Sequence, residues 1–237
     1  MHAVIQSLYQ RSVPWSTRQL LRAYKPNGSL RRLRQAPDAE DYCLAPYDDN
    51  RCIFVHIPKT AGLSLCAALF GCKGGGHLTA RAYRVLFGAQ DFDDYFKFTF
   101  VRNPWDRIVS AYTFLSQGGA NERDRAWGQA VLSGFGSFDE FVLRWLDERR
   151  LYEQIHLVPQ WEFVVNGQGQ PCLDFIGRFE RLGDDFQYVL DQLGRSCALP
   201  QSNASQRSAY RDYYSSASRR RVAQLYRRDI EQFGYSF

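Results

Sequence analysis

Two short strand-like runs, each followed by a helix-start pattern, predict an α/β protein built on an open parallel sheet flanked by helices in a single domain. The runs are Cys52–Ile57 (CIFVHI) and Phe96–Val101 (FKFTFV). The first is almost unbroken and apolar, the pattern of a buried strand, and the second is rich in β-forming residues. Strand and helix patterns then alternate along the chain, which favours parallel crossovers.

Residues 1–37 hold an amphipathic stretch around 15–24 and then a Pro/Gly/Arg-rich run, so residues 1–50 read as a basic, partly mobile or peripherally packed arm ahead of a domain over 51–237. Cys52–Ile57 is the first strand; Pro58–Gly62 breaks it, and Leu63–Phe70 reads as a helix ended by Gly71. Thr79–Phe87 reads as a helix stopped by Gly88. Phe96–Val101 is the second strand, and Asn103–Pro104 starts a helix to about Gln117, with Asn as cap, Pro in the first turn and Asp106 at the positive end. Ser137 caps a helix over 138–149. Phe163–Val165, Asn166–Gly167 and Cys172–Phe179 read as strand, turn and strand, and helices near 184–193 and 216–233 close the chain.

Charge narrows the function. The chain of 237 residues carries 30 basic and 25 acidic residues, a net of +5. Seven of the basic residues and none of the acidic ones lie in residues 1–37, so the remainder stands at −2. A nucleic-acid binder would place its excess charge on a folded face, so no nucleic-acid partner is expected. No stretch approaches the ~20 apolar residues of a membrane span. The N-terminus lacks the apolar core of a leader, which points to the cytoplasm. The six cysteines form no CxxC pair and read as reduced thiols; the alternative is a bridge from Cys43 or Cys72 in an oxidising compartment. The acidic clusters Asp48–Asp49 and Asp91–Asp94 read as solvated loops, and no metal is expected.

The loop Pro58, Lys59, Thr60, Ala61, Gly62, Leu63, Ser64 joins a strand to a helix start. Unpaired N–H groups and the positive dipole end suit a phosphate there. Lys59 adds a charge, Thr60 and Ser64 add hydroxyls, and Gly62 permits close approach. The order is not GxxxxGK[ST], since Lys59 precedes the only glycine. An ordinary strand-to-helix turn with a surface lysine is the alternative. In the second element, Arg102 stands at a strand's end, where ligands bind in open α/β sheets, and Ser110 follows two helical turns later. Arg102 could fork onto a phosphate, or simply pair with Asp106.

VHIPKTAGLSL (55–65) resembles the 5′-phosphosulfate loop of sulfotransferases, and FTFVRNPWDRIVSAY (98–112) resembles their 3′-phosphate motif. DFIGRFERLGDDF (174–186), LPQSNAS (199–205) and DIEQFGYSF (229–237) resemble further stretches of sulfotransferase family 2, which includes carbohydrate sulfotransferases. The resemblance implies a P-loop-like fold. It also implies an enzyme moving a sulfuryl group, without a metal, from 3′-phosphoadenosine 5′-phosphosulfate (PAPS) to a hydroxyl of a glycan or small hydroxylated acceptor, leaving the desulfated product PAP. It matches Lys59 to the lysine that neutralises the leaving phosphate. Pro58, Lys59, Thr60, Ala61, Gly62 and Ser64 then hold the 5′-phosphate, Arg102 and Ser110 the 3′-phosphate, and Arg178, Ser205 and Arg207 reach the nucleotide. A histidine is the commonest general base. His77, between the two motifs, resembles the family's histidine. His156 is the other candidate and with Gln160 reads as a substrate-side element. His56 is a core histidine or a loop support. Each imidazole could instead be structural. A non-catalytic nucleotide-binding homologue, or a nucleic-acid or membrane-surface module using the basic arm, are the alternative functions, and a homodimer is possible.

Overall fold

The computed structural model describes residues 13–25, 28–199 and 208–237. In chain order the helices and strands are α1 (Trp15–Tyr24), α2 (Ser29–Arg32), α3 (Ala45–Asp49), β1 (Cys52–Phe54), α4 (Gly62–Phe70), α5 (Ala80–Phe87), α6 (Ala89–Asp94), β2 (Phe96–Val101), α7 (Pro104–Ser116), α8 (Glu122–Val131), α9 (Phe138–Arg144), α10 (Trp161–Val164), β3 (Phe175–Arg178), α11 (Leu182–Leu193), α12 (Ser216–Leu225) and α13 (Arg227–Phe233). They group into two compact units: residues 1–101 with 160–202, and residues 102–159 with 203–237.

The first unit contains the whole sheet. Its order is β1-β2-β3 and both pairings are parallel, with Cys52 opposite Phe96, Phe98 opposite Phe175, and Val101 opposite Arg178. Every residue of β1 and all but the first of β2 are buried; β1 reads as a continuous apolar run, whereas β2 also buries Lys97 and Thr99. Ile53, Phe54, Phe98 and Phe100 fill the centre, with Leu65 and Leu69 from α4 and Tyr47 and Tyr83 fully or almost fully buried. The Tyr47 hydroxyl donates to the Phe54 carbonyl at 3.1 Å, so its polar tip is satisfied inside the core.

The described part of the basic arm packs on this unit. Trp15 lies 5.2 Å from the Phe163 ring, and Ala23, Leu30 and Leu33 are buried. Arg34 donates to both oxygens of Asp48 at 2.9 and 2.6 Å and to Asp91 at 3.3 Å. The hydrogen bond with Asp48 raises its already high pKa. The acidic clusters expected as solvated loops therefore lie on α3 and α6, with Asp48 and Asp91 held by Arg34 and Asp93 by Arg84.

The second unit is helical. α7, α9 and α12 enclose Trp105, Ile108, Ala111, Leu115, Phe138, Phe141 and Val222. Asn103 caps α7 by accepting from the Trp105 N–H at 3.1 Å, and Ser137 caps α9 through the Glu140 N–H. Asn121 caps α8 the same way, through the Asp124 N–H, which makes a helix of a segment with no expected element.

Three expectations needed correction. Residues 161–164 form a helical turn rather than a strand, and Val165 makes only an isolated bridge to Pro171; a short apolar run does not by itself distinguish the two. The helix expected over 138–149 ends at Arg144, because Asp147 Oδ1 accepts the N–H groups of Arg149 and Arg150 and turns the chain. The last helix breaks at Tyr226 into α12 and α13.

The buried sheet makes a direct prediction. Phe98→Ala, at a fully buried position in β2, should cost about 3–5 kcal/mol in denaturant unfolding. Leu63→Ala, at the exposed start of α4, should stay within about 0.5 kcal/mol of the parent.

Candidate functional site

The residues singled out from the sequence fall in both units. In the first, β1 delivers the chain through Val55 and His56 into Pro58–Ser64. The Val55 N–H donates to Phe98 O at 2.9 Å, and Thr99 Oγ1 donates back to Val55 O at 2.6 Å, so the strand's exit is pinned to β2. Lys59 and Ala61 both take positive φ, +70° and +66°, a region that non-glycine residues rarely enter. Alternating left-handed residues turn backbone N–H groups into a concavity that suits an anion. Thr60 is fully buried and its hydroxyl donates to Ile57 O at 2.9 Å, which closes the turn from inside. Lys59 and Ser64 are half-buried, and Ala61 leads directly into α4.

His77 stands beside this loop. Its Nδ1 lies 3.1 Å from the His56 carbonyl, and a carbonyl only accepts, so Nδ1 carries the proton and Nε2 the lone pair in the neutral ring. The His56 and His77 rings meet edge-on at 4.4 Å. Arg178 closes β3 at the sheet edge where β1 also ends, and its N–H donates to Asp185 Oδ2 at 2.6 Å. The first unit thus brings together the loop, His77 and a histidine whose role the sequence left open. Gln160, in the same unit, is fully buried at the start of α10. Ser205 and Arg207 lie outside the described residues.

In the second unit Arg102 precedes the Asn103 cap of α7, and Asp106 and Ser110 follow four residues apart on one face of that helix. Arg102 is 8% exposed and its Nε donates to Asp106 Oδ2 at 2.7 Å. The pairing foreseen as an alternative is therefore present, and it orients the guanidinium at the helix start.

His156 is also in the second unit, and it is buried. Its ring meets Phe114 at 5.0 Å, and Phe114 lies roughly 15 Å along α7 from Pro104 at the helix start, at the helical rise per residue. Its Nε2 lies 3.6 Å from Asp124 Oδ2, whose oxygens also accept from Ala120 N–H at 3.2 Å and Gln154 Nε2 at 3.4 Å. Fully buried Arg107 donates to the carbonyls of His156 and Val158 at 3.2 and 2.6 Å, and the Tyr226 hydroxyl donates to Leu157 O at 2.6 Å. Burial lowers the Arg107 pKa, but the group still meets two carbonyls. Asp124 and Arg107 were not singled out from the sequence. Asn121, a residue type favoured as a cap, is the local signal beside Asp124 that was not read, and nothing local to Arg107 marks it as interior.

Burial pushes the Asp124 carboxyl up, yet His156 beside it and the hydrogen bonds from Ala120 and Gln154 hold it below its ordinary value. A depressed carboxyl stabilises the fold above its unfolded value of about 3.9, and that contribution is lost as pH falls through the folded value. Asp124→Asn should therefore lower stability at pH 7 by about 1–3 kcal/mol. Its deficit against the parent should shrink as denaturation is repeated toward pH ~3; a deficit independent of pH would count against the carboxylate.

Comparison with known proteins gives these features a family. A family model described as the sulfotransferase family matches residues 77–236, a span that starts at His77 and takes in Arg102, Ser110 and Arg178. Carbohydrate sulfotransferase 11 of Danio rerio is 26% identical, covering 91% of this chain and 72% of its own length. Carbohydrate sulfotransferase 10 of Xenopus laevis is 27% identical over 92% and 74%, and carbohydrate sulfotransferase 9 of Homo sapiens is 30% identical over 77% and 47%. No solved structure matches the chain at the significance these relatives reach. With the family model covering about two thirds of its length, the chain belongs to the sulfotransferase family.

Proposed function

We propose that this sulfotransferase takes the sulfuryl group of PAPS and passes it to a hydroxyl of a carbohydrate or small hydroxylated acceptor, with His77 as general base. One observation carries the reading: a loop held at positive φ at Lys59 and Ala61, opening on the N-terminus of α4, with the lone pair of a proton-assigned histidine beside it. The names of the relatives supply the carbohydrate acceptor class.

The chemistry follows from these groups. His77 Nε2 accepts the proton of the acceptor hydroxyl as its oxygen forms the new O–S bond. The S–O bond to the 5′-phosphate of PAPS breaks in line, and PAP leaves with the electron pair. The backbone N–H groups of the loop and the dipole of α4 face the phosphate on which charge develops, and Lys59 neutralises it. Sulfuryl transfer, like phosphoryl transfer, is governed by positioning and charge stabilisation. Arg102 and Ser110 are the ligands proposed for the 3′-phosphate, which distinguishes PAPS from adenosine 5′-phosphosulfate. Arg178 is a further nucleotide contact. His156 is the alternative base, and its ring engagement with Asp124 and Phe114 favours His77. A cytoplasmic setting belongs to the same proposal, supported by six cysteines that are all free thiols.

Transfer of labelled sulfate from PAPS across saccharide, lipid-linked and phenolic acceptors tests the reaction, with turnover on a saccharide expected. Binding of PAP without transfer to any acceptor would identify a non-catalytic homologue instead. His77→Ala should lower kcat by about 10²–10⁴-fold, the share of a general base, while PAP still binds; near-normal turnover would remove His77 from the role. Arg102→Ala should weaken PAP binding roughly ten- to a hundredfold, the worth of a charged hydrogen-bonding group, and leave adenosine 5′-phosphosulfate binding unchanged.

A further inference from the structure

His56 sits where β1 ends, and its ring is 3% exposed. Three of its contacts place it. It stacks on Phe54 with centroids 5.7 Å apart and planes 11° from parallel. It meets the His77 ring edge-on at 4.4 Å, while its own carbonyl receives the His77 Nδ1–H. Its Cδ2–Nε2 edge fills the space over Gly62 that a side chain there would need: a Cβ on residue 62 would fall 1.9 Å from Cδ2 and 2.0 Å from Nε2. One imidazole thus bears on the first turn of α4 and on His77 at once.

We infer that His56 is a positioning residue that sets where His77 stands relative to the anion loop, and that Gly62 is glycine because the His56 ring occupies its side-chain space. Both sides of the contact are rigid. Phe54 fixes the ring plane from the strand side, and Leu65 N–H to Ala61 O at 3.1 Å fixes the start of α4. A side chain at residue 62 would meet the imidazole first, and the imidazole in turn meets His77. The inference rests on the reading of His77 as base and of Pro58–Ser64 as the anion loop.

The test is a cycle of His56→Ala, Gly62→Ala and the double variant, read by kcat and KM for PAPS and by ¹⁵N spectra of the His77 imidazole. Gly62→Ala drives a methyl into the ring and should lower kcat roughly ten- to a hundredfold, as a misplacement of about an ångström does. His56→Ala should lower kcat while leaving KM for PAPS unchanged, and should broaden or shift the His77 Nδ1–H signal. The double variant should turn over no more slowly than His56→Ala alone, because the clash is gone; losses that multiply would mean two independent sites. Should His56→Ala not fold, His56→Gln carries the same expectation. A His56 variant with parental kcat and an unmoved His77 signal overturns the inference. If the parent itself transfers no sulfate, the proposed reaction fails, but the His77 signal in the three variants still decides whether His56 links Gly62 to His77.

Discussion

The lateral hold of β1 on β2 is the constraint on which the first unit's chemistry depends. β1 is only three residues long, and its last ladder contacts are made beyond it, by the Val55 N–H to Phe98 O and by Thr99 Oγ1 to Val55 O. Because the pairing is parallel, the ends of β1 and β3 lie at one edge of the sheet, and the chain must turn there into a helix. The two bonds at Val55 decide the residue at which the turn begins. A slip of one residue would exchange the faces of His56 and Ile57 and point the imidazole away from Gly62.

Holding that exit also explains how the loop keeps two non-glycine residues at positive φ. Each such residue costs of order 1–3 kcal/mol in an unsupported chain. Here the strain is bracketed. Thr60, between the two, is fully buried and donates to Ile57 O, and Ala61 supplies the carbonyl that accepts from the Leu65 N–H and so begins the α4 ladder. The Thr60 hydroxyl is therefore engaged in forming the concavity, and the surface offered to an anion is chiefly backbone N–H groups and Lys59.

Positive charge plays a different part in the second unit. Arg107 is fully buried, and its guanidinium donates to backbone carbonyls of the 156–158 segment, with the buried Asp229 carboxylate among the charges that act on it. A guanidinium presents several donors in a planar fork, so one side chain can hold two carbonyls of the same segment, which an ammonium would do with less geometric control. Tyr226 takes the carbonyl between them, so three consecutive peptide groups are fixed by side chains from α7 and the break between α12 and α13. With Asp124 facing the His156 ring, that segment is ordered from both its backbone and its side chain. In an arginine-rich, lysine-poor chain, part of the excess charge thus serves interior hydrogen bonding, while Arg34 pairs with Asp48 and Asp91 at a part-buried site in the first unit.

What the sequence disclosed follows from the range over which each signal acts. The apolar run of β1, the β-rich run of β2, the Asn103–Pro104 helix start and the order of Lys59, Thr60 and Gly62 are each written within a few residues, and they emerged as strands, cap and loop. The helical turn at 161–164 and the early end of α9 were misread because apolar runs and helix periodicity are weaker than a single competing side chain such as Asp147. The roles of His56, Arg107 and Asp124 were hidden for a different reason. Arg107 is interior only because residues about fifty positions later bring their carbonyls to it, and Asp124 orients a ring that lies thirty-two positions further along. His56 and Gly62 are only six residues apart, yet as text they are an apolar strand's histidine and a loop's glycine. They become one feature only when parallel pairing fixes the strand's exit and the turn folds the helix start back against the ring. Motif spacing records which groups a loop contains; the packing that tells those groups where to stand is a property of the fold.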